Sequence, residues 1–220
     1  MLFRSPVKQI SRLGHDKGLF VFFDGAQAPG AITDDLKDID CDFYASCGHK
    51  WLLGPNGTGF LYVKEGLLDV LQAYHVGAYS DTGWELSEEK QSLAGYIPTA
   101  HRYDYGTQNA ALYQGVDAAV KFMNEIGLQK IEARVKALAK YLQDKLLKFE
   151  DKVEMLTPGE MTSRGSIISF SLRDMDYRAF GKLAGEHKFR IRLVPESGLN
   201  SIRISTHIFN SFEEVERFVG

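Results

Sequence analysis

The feature that most constrains this chain is Leu19-Phe20-Val21-Phe22-Phe23, five apolar residues in a row that stop at Asp24. A strand with one face in water alternates apolar and polar residues, whereas an unbroken run suits a parallel strand covered by helices on both faces. The run therefore predicts a central parallel strand with Asp24 at its carboxyl end, the end at which open α/β sheets bind ligands. Just before it, residues 7 to 17 put Val7, Ile10, Leu13 and Gly14 on one side of a short helix.

The next strands are expected at residues 42 to 46 and 59 to 63, with Gly54-Pro55-Asn56-Gly57 as the turn between them. Lys50 then lies on the loop that joins them. Residues 74 to 105 read as an aromatic, loop-rich segment, and residues 109 to 149 as one long helix or two, with Gly127 as the interruption. From residue 152 the pattern runs strand, strand, helix, strand, strand, helix, which makes a compact α+β domain. The expected fold class is α/β, a partial large domain with a mixed, mostly parallel sheet followed by a small α+β carboxy-terminal domain. Its divisions are residues 1–108, a connecting helical region 109–149, and 150–220. Three strands are few for a sheet that buries a Phe-rich strand, so the amino end looks incomplete and the edge bare or dependent on another polypeptide.

With 220 residues and 44% hydrophobic content the chain is long enough to bury a core. A net charge of -3 gives no electrostatic reason to expect nucleic acid or an anionic membrane, and no apolar run reaches the length of a membrane span. The two cysteines, Cys41 and Cys47, do not form a secreted disulfide framework, and Met1-Leu2-Phe3-Arg4-Ser5-Pro6 has no apolar signal core. Both features point to a cytoplasmic protein.

The chemistry concentrates in Asp24-Gly25-Ala26-Gln27 and Ser46-Cys47-Gly48-His49-Lys50-Trp51. Together they place a carboxylate and an amine at the ends of neighbouring strands. That pairing suits pyridoxal 5'-phosphate, which needs a lysine to hold its aldehyde and an acid to keep its pyridinium nitrogen protonated. A histidine-lysine pair on a surface loop and a strand-end aspartate that merely turns the chain are the plainer readings of the same residues. Neither a Gly-x-Gly-x-x-Gly turn nor a Walker loop follows any strand, which disfavours a nucleotide-binding module.

In order and spacing these two motifs, with Gly106-Thr107 and Arg203-Ile-Ser-Thr-His-Ile-Phe-Asn210, resemble the class V aminotransferase-like enzymes of fold type I, most closely the isopenicillin N epimerase-like and selenocysteine lyase-like members. The resemblance spans essentially the whole chain, whereas the first part of the family's large domain has no counterpart here. It implies that Lys50 is catalytic, holding the cofactor as an aldimine and then shuttling the α-proton. It also implies that Asp24 pairs with the pyridinium nitrogen, Gln27 with the phenolic oxygen, and His49 with the phosphate. Cys47 stands where many relatives carry a phosphate-binding serine, and a thiol is a poor donor, which shifts the load to His49, backbone amides and Ser46. Thr107 would reach the phosphate of a second subunit, making the protein a homodimer, although it could instead cap the helix that follows. Arg203 would grip the α-carboxylate of a small amino-acid substrate, or serve only as a half-exposed strand arginine. Trp51, Tyr79, Trp84 and His101 could line a substrate pocket or simply pack.

The implied activity is a reaction at the α-carbon of an amino acid, of epimerase, aminotransferase or lyase type. A desulfurase that works through a mobile cysteine is disfavoured, because residues 189 to 203, where several relatives carry that thiol, hold none. The alternative is a truncated, inactive fragment of such an enzyme.

Overall fold

The computed structural model describes residues 3–220, which fall into two units. One comprises Lys8–Gln27 and Asp35–Val120; the other takes in Ala28–Asp34, Lys121–Gly220 and the chain up to Val7.

The first unit opens with helix α1 (Val7–Asp16), then strand β1 (Phe22–Asp24), the short helix α2 (Leu36–Ile39), and strands β2 (Phe43–Cys47) and β3 (Gly59–Val63). The carboxylate of Asp35 accepts the amides of Lys37 and Asp38 and so starts α2. The sheet order is β1-β2-β3, with β1 parallel to β2 and β2 antiparallel to β3. Buried Asp42 fastens the entry of β1, accepting the Val21 amide at 2.7 Å and lying 2.9 Å from His15 Nε2.

The strand read as central has β2 as its one neighbour among the described residues, so it stands at the edge, and the edge expected to be bare is bare. Leu19 and Phe20 just before it and Phe22 within it are 59%, 62% and 57% exposed. On the helix before it, Ile10 and Leu13 are exposed and Ser11 is buried. The segment read as loop contains an antiparallel hairpin, β4 (Trp84–Leu86) and β5 (Gln91–Leu93), closed by the Ser87 amide donating to the Lys90 carbonyl at 3.0 Å.

Helix α3 (Ala110–Ile126) spans the boundary between the units and is followed by α4 (Leu128–Leu146). Gly127, at φ 94°, breaks the pair as the sequence suggests, because that left-handed backbone strains any residue with a Cβ. The second unit continues with β6 (Val153–Met155), β7 (Ile167–Leu172), α5 (Tyr177–Glu186), β8 (Arg192–Val194), β9 (Ser201–Ser205) and α6 (Phe212–Val219). Its strands form an antiparallel sheet in the order β6-β7-β9-β8. Leu138, Leu142 and Leu146 recur at four-residue spacing along α4 and meet Ile168 and Phe170 of β7, Ile202 of β9, Tyr177 of α5 and Val215 of α6 in one core. Each such fully buried aliphatic or aromatic side chain stabilises the unit by about 1.5–3 kcal/mol.

Candidate active site

Because β1 and β2 run parallel, both release their loops at the same end of the sheet. Asp24 closes β1 opposite Ala45, and Cys47 closes β2 two residues later. Gly25 leaves β1 with its amide donating to the Ala45 carbonyl at 2.8 Å, and the buried Ser46 hydroxyl donates back to the Gly25 carbonyl at 3.0 Å. A Cβ on Gly25 would sit 1.9 Å from Cζ of Tyr44, so only glycine passes this point.

The second loop is held as firmly. The Gly54 amide donates to the Gly48 carbonyl at 2.8 Å, and the Leu53 amide donates to the Lys50 carbonyl at 3.2 Å. His49 Nδ1 lies 3.1 Å from the Thr58 carbonyl; the N–H therefore sits on Nδ1, and Nε2 is the nitrogen left for another partner. Lys50 is half-buried, and among the described residues its ε-amine has no hydrogen-bond or ion-pair partner.

Asp24 uses one carboxylate oxygen to accept the Ala26 amide at 2.9 Å, and its other oxygen has no partner among the described residues. The plain turn-making role is therefore real, but it occupies only half of the carboxylate. Across the gap between the two loops, the buried Trp51 indole donates to Gln27 Oε1 at 2.8 Å. Trp51 is thus a packing and tethering residue. Nothing in the hydrophobic pattern signals this contact, since its partners stand 24 positions apart.

Asp24, Gln27, Cys47, His49 and Lys50 thus all belong to the loops that leave one end of the β1–β2 pair. Two sequence readings change. Ser46 cannot supply a phosphate donor, because its single O–H is committed to Gly25. Thr107 is exposed and does not cap α3; the Asn109 side chain does, accepting the Leu112 amide at 3.3 Å. Thr107 makes no hydrogen bond with the two loops among the described residues.

Arg203 belongs to the other unit. It lies on β9 opposite Arg192 of β8, with Ile202 buried beside it. Its Nε is buried without a hydrogen-bond partner. Burial, followed by the neighbouring Arg192 charge, lowers its pKa from the ordinary arginine value. Arg190 and Arg192 are solvated, as expected, and Arg192 pairs with Glu196. Cys41 is fully buried, and burial pushes its thiol pKa up.

Residues 3–218 match the class-V aminotransferase family. The chain belongs to that family. It is 31% identical to a cysteine desulfurase of Haloferax volcanii, a match covering 98% of this chain and 51% of that protein. It is 30% identical to isopenicillin N epimerase of Amycolatopsis lactamdurans, covering 96% and 54%. The apo structure of a cysteine desulfurase from Thermococcus onnurineus superposes with a TM-score of 0.86 at 26% identity, covering 98% of this chain and 54% of that one. The chain thus spans about half the length of these relatives and has their fold type I architecture.

The family's cofactor is pyridoxal phosphate, and the loop residues here fit it on the ring side. Among the described residues they offer an unpaired amine, a carboxylate with one free oxygen, and an amide whose NH2 is free. The phosphate side is leaner, with the Cys47 thiol and His49 Nε2 as its side-chain groups.

Proposed function

We propose that this chain forms the lysine-bearing part of a pyridoxal phosphate enzyme acting at the α-carbon of a small amino acid. The observation that supports the reading is that Asp24, Gln27 and Lys50 stand on the loops leaving one end of a parallel strand pair, with the Lys50 amine unpaired among the described residues. When bound, the cofactor supplies an electron sink for the bond that breaks at the α-carbon.

In this reading Lys50 would hold the cofactor covalently, and its amine would carry the proton at the substrate α-carbon. The free oxygen of Asp24 balances the pyridinium charge. The Gln27 NH2 donates to the phenolic oxygen, and His49 with Cys47 serves the phosphate. Arg203 takes the substrate α-carboxylate in a two-point grip, which suits a guanidinium with a buried and unsatisfied Nε. Thr107, exposed and not engaged as a helix cap, serves the phosphate of a second copy, so a homodimer is part of the proposal. A cytoplasmic location is part of the proposal, supported by the two cysteines being free thiols. No helix among the described residues is long and apolar enough to cross a membrane.

Among the reactions open to such a site, we favour epimerase, aminotransferase or elimination chemistry over a desulfurase that carries sulfur on its own cysteine. Of the two cysteines, Cys41 is sealed in the core and Cys47 ends a strand beside the cofactor loop. The chain is about as similar to the Haloferax desulfurase as to the Amycolatopsis epimerase, so the choice rests on the cysteines. Incubating the protein with pyridoxal phosphate, reducing with borohydride and mapping the pyridoxyl peptide tests the assignment. The label should fall on Lys50, and a panel of amino acids should then reveal the substrate by which one shifts the visible band.

A second reading, an inactive fragment that keeps only the fold, is favoured by the exposed apolar residues Leu19, Phe20 and Phe22. It predicts no borohydride-trapped label and a tendency to aggregate.

A further inference from the structure

We infer that Trp51 is a positioning residue that dictates which end of the Gln27 carboxamide faces the cofactor; the inference rests on the pyridoxal phosphate reading above. An amide side chain can present either a carbonyl acceptor or an NH2 donor, and the two orientations have nearly the same shape. The indole N–H of Trp51 can only donate. At 2.8 Å from Gln27 Oε1 it therefore binds the carbonyl end and turns Nε2 outward. Trp51 is 5% exposed, so water competes poorly for its N–H, and the buried donor would lose its bond if the amide flipped.

The consequence is chemical. The phenolic oxygen of the cofactor carries negative charge, and a carbonyl turned toward it would repel where an NH2 attracts. Trp51 follows Lys50 directly, so the loop that brings the covalent anchor also sets the polarity of the residue across from it. A donor on the phenolic oxygen competes for the charge that holds the proton on the adjoining lysyl nitrogen. Removing the donor, or reversing it, strengthens that hold.

Two measurements test this separately. In the cofactor-free protein, the Trp51 indole N–H should exchange with solvent more slowly than that of Trp84, which is 52% exposed, and Gln27→Ala should speed the Trp51 exchange while leaving that of Trp84 unchanged. Equal exchange of the two indoles in the parent protein would overturn the inference. In the loaded protein, the midpoint of the pH titration of the visible band should rise in Trp51→Phe by roughly half a unit to one unit, the equivalent of one net hydrogen bond. Gln27→Ala should raise it by as much or more, and adding Trp51→Phe to Gln27→Ala should change nothing further. Gln27→Glu, which substitutes an acceptor while keeping Trp51, should raise it most, and it carries the test if Trp51→Phe fails to fold. An unmoved midpoint in Trp51→Phe, or additive effects of the two changes, contradicts the positioning role. If the parent protein itself traps no cofactor on Lys50, the cofactor reading fails and takes this inference with it, whatever the indole exchange shows.

Discussion

Asp24 ends its strand directly opposite Ala45 of the parallel neighbour, five residues before Lys50. This register brings a carboxylate and an amine out of the same end of the sheet, because parallel strands share their carboxyl ends. The turn bond from the Ala26 amide fixes Asp24 by one oxygen and leaves the other for chemistry.

That division of labour is separable by substitution. Asp24→Asn retains an oxygen for the Ala26 amide and should leave the melting temperature nearly unchanged, while Asp24→Ala should cost about 1 kcal/mol. Both should lower cofactor-dependent turnover by about 100-fold or more, since neither can balance a pyridinium charge. Calorimetry and rate measurement on the same two variants check it.

Gly25→Ala should damage both the fold and the site. Its Cβ would lie 1.9 Å from Tyr44 Cζ, and Tyr44 is buried. Overpacking of this kind costs about 1–3 kcal/mol. Since the displaced backbone carries Asp24, pyridoxal phosphate affinity should fall as well, which equilibrium titration of the visible band would read.

In the other unit, Glu132 accepts the Thr33 amide at 2.9 Å and pairs with Lys136 at 2.5 Å. Burial pushes its carboxyl up, but the Lys136 and Thr33 hydrogen bonds outweigh burial and hold the pKa below the ordinary 4.5. A lowered carboxylate pKa adds stability above the unfolded value and loses it as pH falls through the folded value. Asp34 beside it has the opposite sign: burial raises its pKa above 3.8, so its contribution is full below that value and is lost as pH rises through the folded one. Glu132→Gln should therefore destabilise by about 1 kcal/mol at neutral pH. Urea melts at a series of pH values should show that gap closing on acidification below 4.5.

Most of the fold was legible because its signals are local. The strand and helix order after residue 152, the break at Gly127 and the placing of Lys50 on a loop between strands all follow from periodicity and glycine chemistry. The apolar run at Leu19–Phe23 reports a strand suited to burial, and the bare edge expected from the small number of strands is found, since among the described residues β2 is its one neighbour. The β4–β5 hairpin was missed because its strands are three residues each, too short for alternation to register. At the site, residue types and order pointed to Lys50 and Asp24. The commitments of Ser46 to Gly25, of His49 to Thr58 and of Trp51 to Gln27 are tertiary and leave no trace in spacing.

Arg203→Met separates a substrate role from a structural one. The guanidinium is partly buried with its Nε unsatisfied, so an apolar side chain of similar length should hold or raise the melting temperature. Cofactor capture should be unchanged, while the amino-acid KM rises roughly a hundredfold with loss of a charge-assisted, two-point contact. An unchanged KM with a lowered melting temperature would assign Arg203 to the scaffold.

The most direct measurement is mass-spectrometric mapping of the protein after pyridoxal phosphate and borohydride treatment, run beside Lys50→Ala. A single pyridoxyl group is expected on the Lys50 peptide at one equivalent of cofactor, with that label and the visible band both absent from the variant. A label spread over surface lysines, or one that survives Lys50→Ala unchanged, would contradict the assignment.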